Sequence, residues 1–152
     1  MGNNSAIFLL KEIDNRTKEI YNYLPYKLRP KLNTIIKELF ENFDSKESRS
    51  YDRISEIFAL SYIIELNKFE ILELEYLLPN GKCIDCRLIN KDTNQISFID
   101  FYNINIDEER VENFDLFQKY LAERIVNKFV SKTKHLSDKT LSNNIHILPV
   151  IW

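Results

Sequence analysis

The stretch that decides the fold runs Glu70-Ile71-Leu72-Glu73-Leu74-Glu75-Tyr76-Leu77-Leu78, then Pro79-Asn80-Gly81-Lys82, then Cys83-Ile84-Asp85-Cys86-Arg87-Leu88-Ile89. Successive side chains of a strand point to opposite faces, so a strand writes itself as a period of two. Leu72, Leu74, Tyr76 and Leu78 fall on one face of such a strand, with Glu73 and Glu75 on the other. Asn-Gly is the strongest short hairpin signal, because both central positions of the favoured two-residue turn need positive φ. The pattern predicts a strand over Glu70–Leu78, an Asn80-Gly81 turn and a return strand over Cys83–Ile89, with Tyr76 opposite Asp85.

Working toward the C-terminus, the polar residues Asn90 to Asn94 make a second turn, and Gln95 to Asn105 a third strand. Asn105 or Asp107 caps a long helix to about Lys132, with Val111, Phe114, Phe117, Leu121, Ile125 and Phe129 along one side. A polar loop, Ser137 to Asn144, leads to a short apolar strand, Ile145 to Ile151, with Trp152 expected against the sheet.

Toward the N-terminus, a helix runs from about Asp52 to Asn67, with Ile54, Ile57, Phe58, Ser61 and Ile64 inward. The polar, aperiodic Asp44 to Ser50 marks a boundary between an N-terminal helical extension (1–44) and a core (50–152) that form one unit. Residues 4–43 read as two helices, with Asn4 or Ser5 as the first cap and Pro25 and Pro30 bracketing the connector. Ile7, Leu10, Ile13, Ile20 and Leu24 stripe the first helix; Leu32, Ile35, Ile36, Leu39, Phe40 and Phe43 stripe the second. The expected class is α/β (α+β): two helices, then an αβββαβ core on a mixed sheet.

Composition narrows the function. The chain has 152 residues, 44% hydrophobic and 29% charged, which suits one folded domain and excludes disorder. Lys and Arg number 21 against 23 acids, a net charge of -2, so a general basic coat for nucleic acid is excluded. No run approaches the ~20 apolar residues of a membrane span. Ala6 to Leu10 is followed at once by Lys11 and Glu12, and no cation precedes it, so it reads as helix and the protein as cytoplasmic. The two glycines, Gly2 and Gly81, form neither a Walker loop nor GxGxxG. Cys83 and Cys86 form a CxxC, but residues three apart on a strand point to opposite faces, so zinc is not expected there. His135 and His146 have no nucleophile pattern near them. The basic stretches Arg16 to Lys37 and Lys119 to Lys139 read as solvated helix faces, with phosphate contact the alternative.

Three acids ask for an explanation. Asp85 is expected on the face of Leu72, Leu74, Tyr76 and Leu78, and Asp100 on a face with Phe98, Tyr102 and Ile104. Glu56 precedes Ala59, Leu60 and Ile63 at helical spacing. A buried carboxylate is costly unless paired or bound to metal. One reading is a structural network of Asp85 and Asp100 with Arg87 and Tyr102, with Glu56 a solvated helix acid and Gln118 a polar residue beside the helix seam.

This element order and these acids, over roughly Asp52 to Trp152, resemble the PD-(D/E)xK nuclease-like superfamily. The resemblance implies an αβββαβ core and a divalent ion, usually Mg²⁺, held by acids matching Asp85 (in Lys82-Cys83-Ile84-Asp85-Cys86) and Asp100 (in Ile99-Asp100-Phe101-Tyr102). It aligns Glu56 with the family's acid on the first helix, and Gln118 or Lys119 with its polar residue on the following helix. Hard cations prefer carboxylate oxygens, and a bound ion activates water and offsets phosphate charge. The departure is Tyr102, which stands where the family has lysine; a phenol with a pKa near ~10 is neutral at pH 7. Lys119 is a candidate substitute, Lys82 alternates to the other face, and Arg87 is expected in an ion pair with Asp85.

The expected function is therefore a non-catalytic protein-interaction module on a degenerate nuclease-like core, such as a small bacterial inhibitor or toxin-immunity protein, with another protein as partner. A Mg²⁺-dependent nuclease of DNA or RNA, with Glu56, Asp85, Asp100, Gln118 and Lys119 at its site, is the alternative. A nucleic-acid-binding domain that does not cut is the third.

Overall fold

Pro79 decides how the hairpin turns. Its ring holds φ near −65°, which suits the second position of an ordinary type I turn and not the mirror-image turn expected for Asn-Gly. In the computed structural model, which describes residues 2–41, 48–104 and 114–151, the loop is Pro79-Asn80-Gly81. The Gly81 N–H donates to the Leu78 carbonyl at 2.9 Å and the Leu78 N–H to the Lys82 carbonyl at 2.7 Å. Gly81 takes φ +78°, the left-handed position that closes such a three-residue loop. The extra loop residue moves the register by one: Tyr76 lies opposite Ile84 and Leu74 opposite Cys86, so Tyr76 does not face Asp85.

The strands are β1 (Phe69–Leu77), β2 (Cys83–Asn90), β3 (Ile96–Ile104) and β4 (Ile145–Ile151). They form one four-stranded sheet in the order β1-β2-β3-β4. β1, β2 and β3 pair antiparallel, and β4 lies parallel to β3, with Phe98 opposite Ile145 and Tyr102 opposite Pro149. A bulge between Ile71 and Glu73 leaves Leu72 without a partner and breaks the expected alternation of β1. Ile71, Leu74 and Leu78 are buried, Leu72 is half-buried and Leu77 is exposed.

The helices before the sheet are α1 (Gly2–Tyr23), α2 (Arg29–Glu41) and α3 (Ser48–Glu65), with a 3₁₀ turn at Tyr26–Leu28. α1 starts at Gly2, so Asn4 and Ser5 lie inside it and do not cap it. Pro30 is the second residue of α2, where a missing N–H is harmless, so it belongs to the helix and not to the connector. α3 begins four residues before the expected Asp52. Ser61 faces inward, donating to Glu19 Oε2 at 3.3 Å and accepting from Arg16 Nη1 at 3.0 Å. Ile13, Ile20, Leu32, Leu39, Ile57 and Leu60 share one core with Ile71, Leu74, Leu88 and Phe101, so residues 2–41 pack in the same core as the sheet. Each such side chain contributes about 1.5–3 kcal/mol on burial.

β3 separates two layers. Ile99 and Phe101 belong to the cluster of the N-terminal helices, whereas Phe98 packs with Leu78, Ile84, Ile145 and Phe129. Neighbours on a strand face opposite ways, so α1–α3 cover one face and α4 (Phe114–Thr133) the other. α4 and the short α5 (Lys139–Asn143) lie in the crossover that parallel pairing of β3 and β4 requires. No described side chain of α4 is fully buried, and Phe114 is exposed rather than on the expected inward stripe. The expected caps Asn105 and Asp107, Val111, residues 44–47 and Trp152 lie outside the described residues.

Candidate functional site

The β2–β3 ladder ends at Cys86 opposite Ile99. Continuing that register by one residue sets Asp85 opposite Asp100. There the Asp85 carboxylate takes the place of a ladder carbonyl: its Oδ2 accepts the Phe101 N–H at 2.6 Å. Beyond this point β2 and β3 part, and a cleft of about 170 Å³ opens, lined by Asp52, Glu56, Asp85, Asp100, Phe101, Tyr102, Asn103, Lys128 and Lys132.

Asp100 is buried on the α4 side and meets two lysines of that helix. Lys132 Nζ is 2.6 Å from Asp100 Oδ1, and Lys128 Nζ is 3.4 Å from Oδ2. Oδ2 nevertheless makes no hydrogen bond, and neither does Asn103 Oδ1. Lys132 Nζ also donates to the Cys83 carbonyl, which ties the helix to the start of β2. The hairpin turn holds the helix end from the other side: Asn80 Nδ2 donates to the Lys132 carbonyl at 2.8 Å and the Lys134 carbonyl at 2.9 Å. These are carbonyls that a helix C-terminus leaves without intrahelical partners.

Glu56 enters the cleft from α3. It is 9% exposed, not a solvated helix acid. Arg53 Nη1 donates to its Oε2 at 2.6 Å, and the same guanidinium bonds Glu38 and reaches Glu75 Oε1 at 3.3 Å. Glu75 takes φ +50°, an uncommon conformation for a residue with a Cβ, and turns its carboxylate to Arg53 and Lys31.

Burial pushes the Glu56 carboxyl up to about 7; Arg53 opposes the rise, and Glu75 and Asp52 add to it. Burial pushes Asp85 up to about 8, reinforced by the charges of Glu56 and Asp100 and opposed by the Phe101 N–H and Lys132. Burial works against the Arg53 charge, but the carboxylates of Glu56 and Glu38 outweigh it and hold its pKa above the ordinary value. Like charges converging in a dry place disfavour ionisation.

The cleft thus brings together Glu56, Asp85 and Asp100. Gln118 and Lys119 of α4 are exposed and do not line it. Arg87 pairs with Glu73 at 2.6 Å and lies over the rings of Tyr76 and Phe98, not on Asp85. Lys82 is exposed. Lys128 and Lys132 are the cations that reading along the sequence missed. Their signal is spacing: Tyr120, Arg124, Lys128 and Lys132 recur every fourth residue on one side of α4.

Among the described residues, no three His, Cys, Asp or Glu side chains stand close enough to hold a metal ion by themselves. Mg²⁺ does not require that: it keeps several waters and binds through one or two carboxylates plus substrate phosphate. Asp85 and Asp100 would be those two carboxylates, with Asp100 Oδ2 the oxygen that makes no hydrogen bond. Cys83 is exposed and Cys86 buried, both as free thiols. No helix among the described residues is long and apolar enough to cross a membrane. Comparison with protein-family models, with curated proteins and with solved structures finds no match.

Proposed function

We propose that this chain is a Mg²⁺-dependent phosphodiesterase acting on nucleic acid, on a PD-(D/E)xK-like core whose lysine has moved from β3 to α4. The observation that carries this reading is the Lys132 ammonium 2.6 Å from Asp100, in a cleft shared with Asp85 and Glu56. The expectation of a non-catalytic module rested on a neutral Tyr102 where a cation is needed. Lys132 and Lys128 supply that charge from a neighbouring element.

Asp85 and Asp100 would hold the ion, which on binding supplies Lewis acidity toward water and phosphate. In hydrolysis the water oxygen bonds to phosphorus, a P–O ester bond breaks and the water gives up a proton. Glu56, with its carboxyl near neutrality, is suited to accept that proton at pH 7. The lysines, donors without an acceptor, offset the charge that the phosphate gathers. Arg53 keeps Glu56 in place from behind.

The test is incubation with plasmid, single-stranded DNA and RNA in Mg²⁺ or Mn²⁺, beside the Asp85→Ala/Asp100→Ala double variant and Lys132→Ala. Cutting by the natural chain that both variants lose supports the reading. No cutting, together with a melting temperature that Mg²⁺ does not raise, refutes it, because a ligand of the folded state alone must stabilise it.

A second reading has one observation in its favour. Lys132 is bonded to both Asp100 and the Cys83 carbonyl, as in a structural ion pair. On that reading the chain is a partner-binding module without catalysis, of the kind an inhibitor or immunity protein would be, and the same assays return nothing while a native partner co-purifies.

A further inference from the structure

The acid cleft has a built approach. Along α4, Tyr120, Arg124, Lys128 and Lys132 form a winding stripe, each about 6 Å further along the axis and about 40° further round it. Arg124 is exposed, donates to the Tyr120 hydroxyl at 3.1 Å and lies 5.3 Å from that ring. A second phenol, Tyr102 from β3, lines the cleft itself, with Lys128 Nζ 5.0 Å from its ring centre. Both tyrosines are half-buried, so each is held in place yet presents surface. Three cations and two rings therefore mark a path toward Asp100.

That combination discriminates between nucleic-acid forms. Phosphates are met by cations whatever the strandedness. Aromatic rings add affinity when a base has left its stack and can lie on them, which duplex bases cannot do without unpairing. A guanidinium beside a ring serves the same unpaired base or its phosphate.

We propose that the Tyr120–Lys132 stripe of α4, together with Tyr102, is the binding track for a single-stranded polynucleotide, with Arg124 on a phosphate next to the one at the cleft and the tyrosines under unpaired bases. This rests on the phosphodiesterase reading of the cleft and names its substrate class. Stacking and phosphate contact serve every base alike, so the binding is tolerant of sequence. A duplex meets the same cations without the rings.

The experiment is fluorescence anisotropy with a labelled mixed-sequence 16-mer as single-stranded DNA, as single-stranded RNA and as blunt duplex, in EDTA and in Ca²⁺. The variants are Tyr102→Leu, Tyr102→Phe, Tyr120→Leu and Arg124→Ala. The natural chain is expected to bind either single strand at least about 10-fold tighter than the duplex. Tyr102→Leu and Tyr120→Leu each weaken single-strand binding by about 10-fold and duplex binding by clearly less, since a base–ring stack is worth about that much and is lost from the single strand alone. Tyr102→Phe, which keeps the ring but gives up the hydroxyl beside Arg124, retains the preference for single strands over duplex. Arg124→Ala weakens both forms and lowers the slope of affinity against salt by about one phosphate. Equal or tighter binding of duplex, leucine variants that bind single strands normally, or no binding to either form at low salt overturns the proposal. If Tyr102→Leu does not fold, the exposed Arg124 and the Tyr120 variant decide. Because no cleavage is read, the phosphodiesterase reading fails separately: single strands held on this track but not cut in Mg²⁺ sink it and leave the track standing.

Discussion

Lys132 and Asp100 form the pair on which the site turns, and a double-mutant cycle measures it. Asp100 is 1% exposed, Lys132 15% and Lys128 30%. At an effective dielectric near 20, a pair 2.6 Å apart attracts by about 6 kcal/mol and one 3.4 Å apart by about 5 kcal/mol. Most of this is offset by the water that buried ions give up, so removing one partner of a buried pair costs about 3–5 kcal/mol. Lys128 remains after Lys132→Met and softens the loss, though its greater exposure screens it. The expected destabilisation by Lys132→Met is about 2–3 kcal/mol. Methionine keeps the apolar stem, so the loss reports the ammonium and not packing.

Asp100→Asn removes the charge at nearly constant volume. If the two groups interact as described, Lys132→Met in the Asp100→Asn background costs little, and the cycle returns a coupling of about 2 kcal/mol. Urea denaturation of the four proteins, with their m-values compared, is the assay. Singles that add within about 0.5 kcal/mol would show that the ammonium and the carboxylate do not interact. That result removes the cation from the cleft in solution and takes the hydrolytic reading with it.

Other predictions follow from the same neighbourhood. Asp85 and Glu56 have folded pKa values of about 8 and about 7, above the ordinary carboxylate range. Between pH 4 and 8 or so the folded chain therefore keeps protons that the unfolded chain has released, and stability falls as pH rises through that window. Melting temperatures from pH 5 to 9 check the sign; a rise over that range contradicts it. Arg53→Met leaves Glu38, Glu56 and Glu75 facing one another and costs about 3–5 kcal/mol, part of which Glu56→Gln in the same chain restores, read by chemical denaturation. Asn80→Ala loses two bonds to the end of α4 and costs about 1–2 kcal/mol. Gly81→Ala costs about 1–2 kcal/mol by backbone strain alone, because φ is +78° and a Cβ there meets nothing within 4 Å; an unchanged melting curve would refute that.

The element order was legible because it is written in local pattern: period two in β1 to β3, helical stripes in α1 to α3, an apolar run in β4. The register was not, because Asn80-Gly81 by itself signals a two-residue turn, whereas Pro79 before it holds the turn in its ordinary hand and moves Gly81 from the centre of the turn to its closing position. The bulge at Leu72 was equally hidden, since Leu72 and its neighbours are all apolar or acidic in a plausible alternation. The two acids of β2 and β3 were found because each sits in a strand whose direction local pattern supplies. Lys132 was missed because its nearness to Asp100 depends on how α4 lies across β3. No residue of either element states that alone. The hint lay in Asn80, read as a turn residue, which also fastens the last turn of α4 beside β2.

The remaining question is whether the acid cluster serves the fold or opposes it, and the two cases differ in sign. Several unfavourable features gather at one cleft: Asp85 and Glu56 held up by burial, an Asp100 oxygen and an Asn103 oxygen without hydrogen bonds, and Glu75 at φ +50° nearby. A network kept for stability has its charges matched, and removing a member weakens it. A site kept for a missing ligand opposes folding, and removing a member relieves it. Asp85→Asn separates them, because the amide oxygen can still accept the Phe101 N–H while the charge that Glu56 and Asp100 repel is gone. At pH 9, where Asp85 is ionised in the natural chain, the variant should be more stable; near pH 4, where the natural residue is protonated, the difference should vanish. Mg²⁺ should stabilise the natural chain and not the variant. A variant less stable at pH 9 would mean that the Asp85 charge supports the fold, and the cleft would then be a structural feature with no place for a cation.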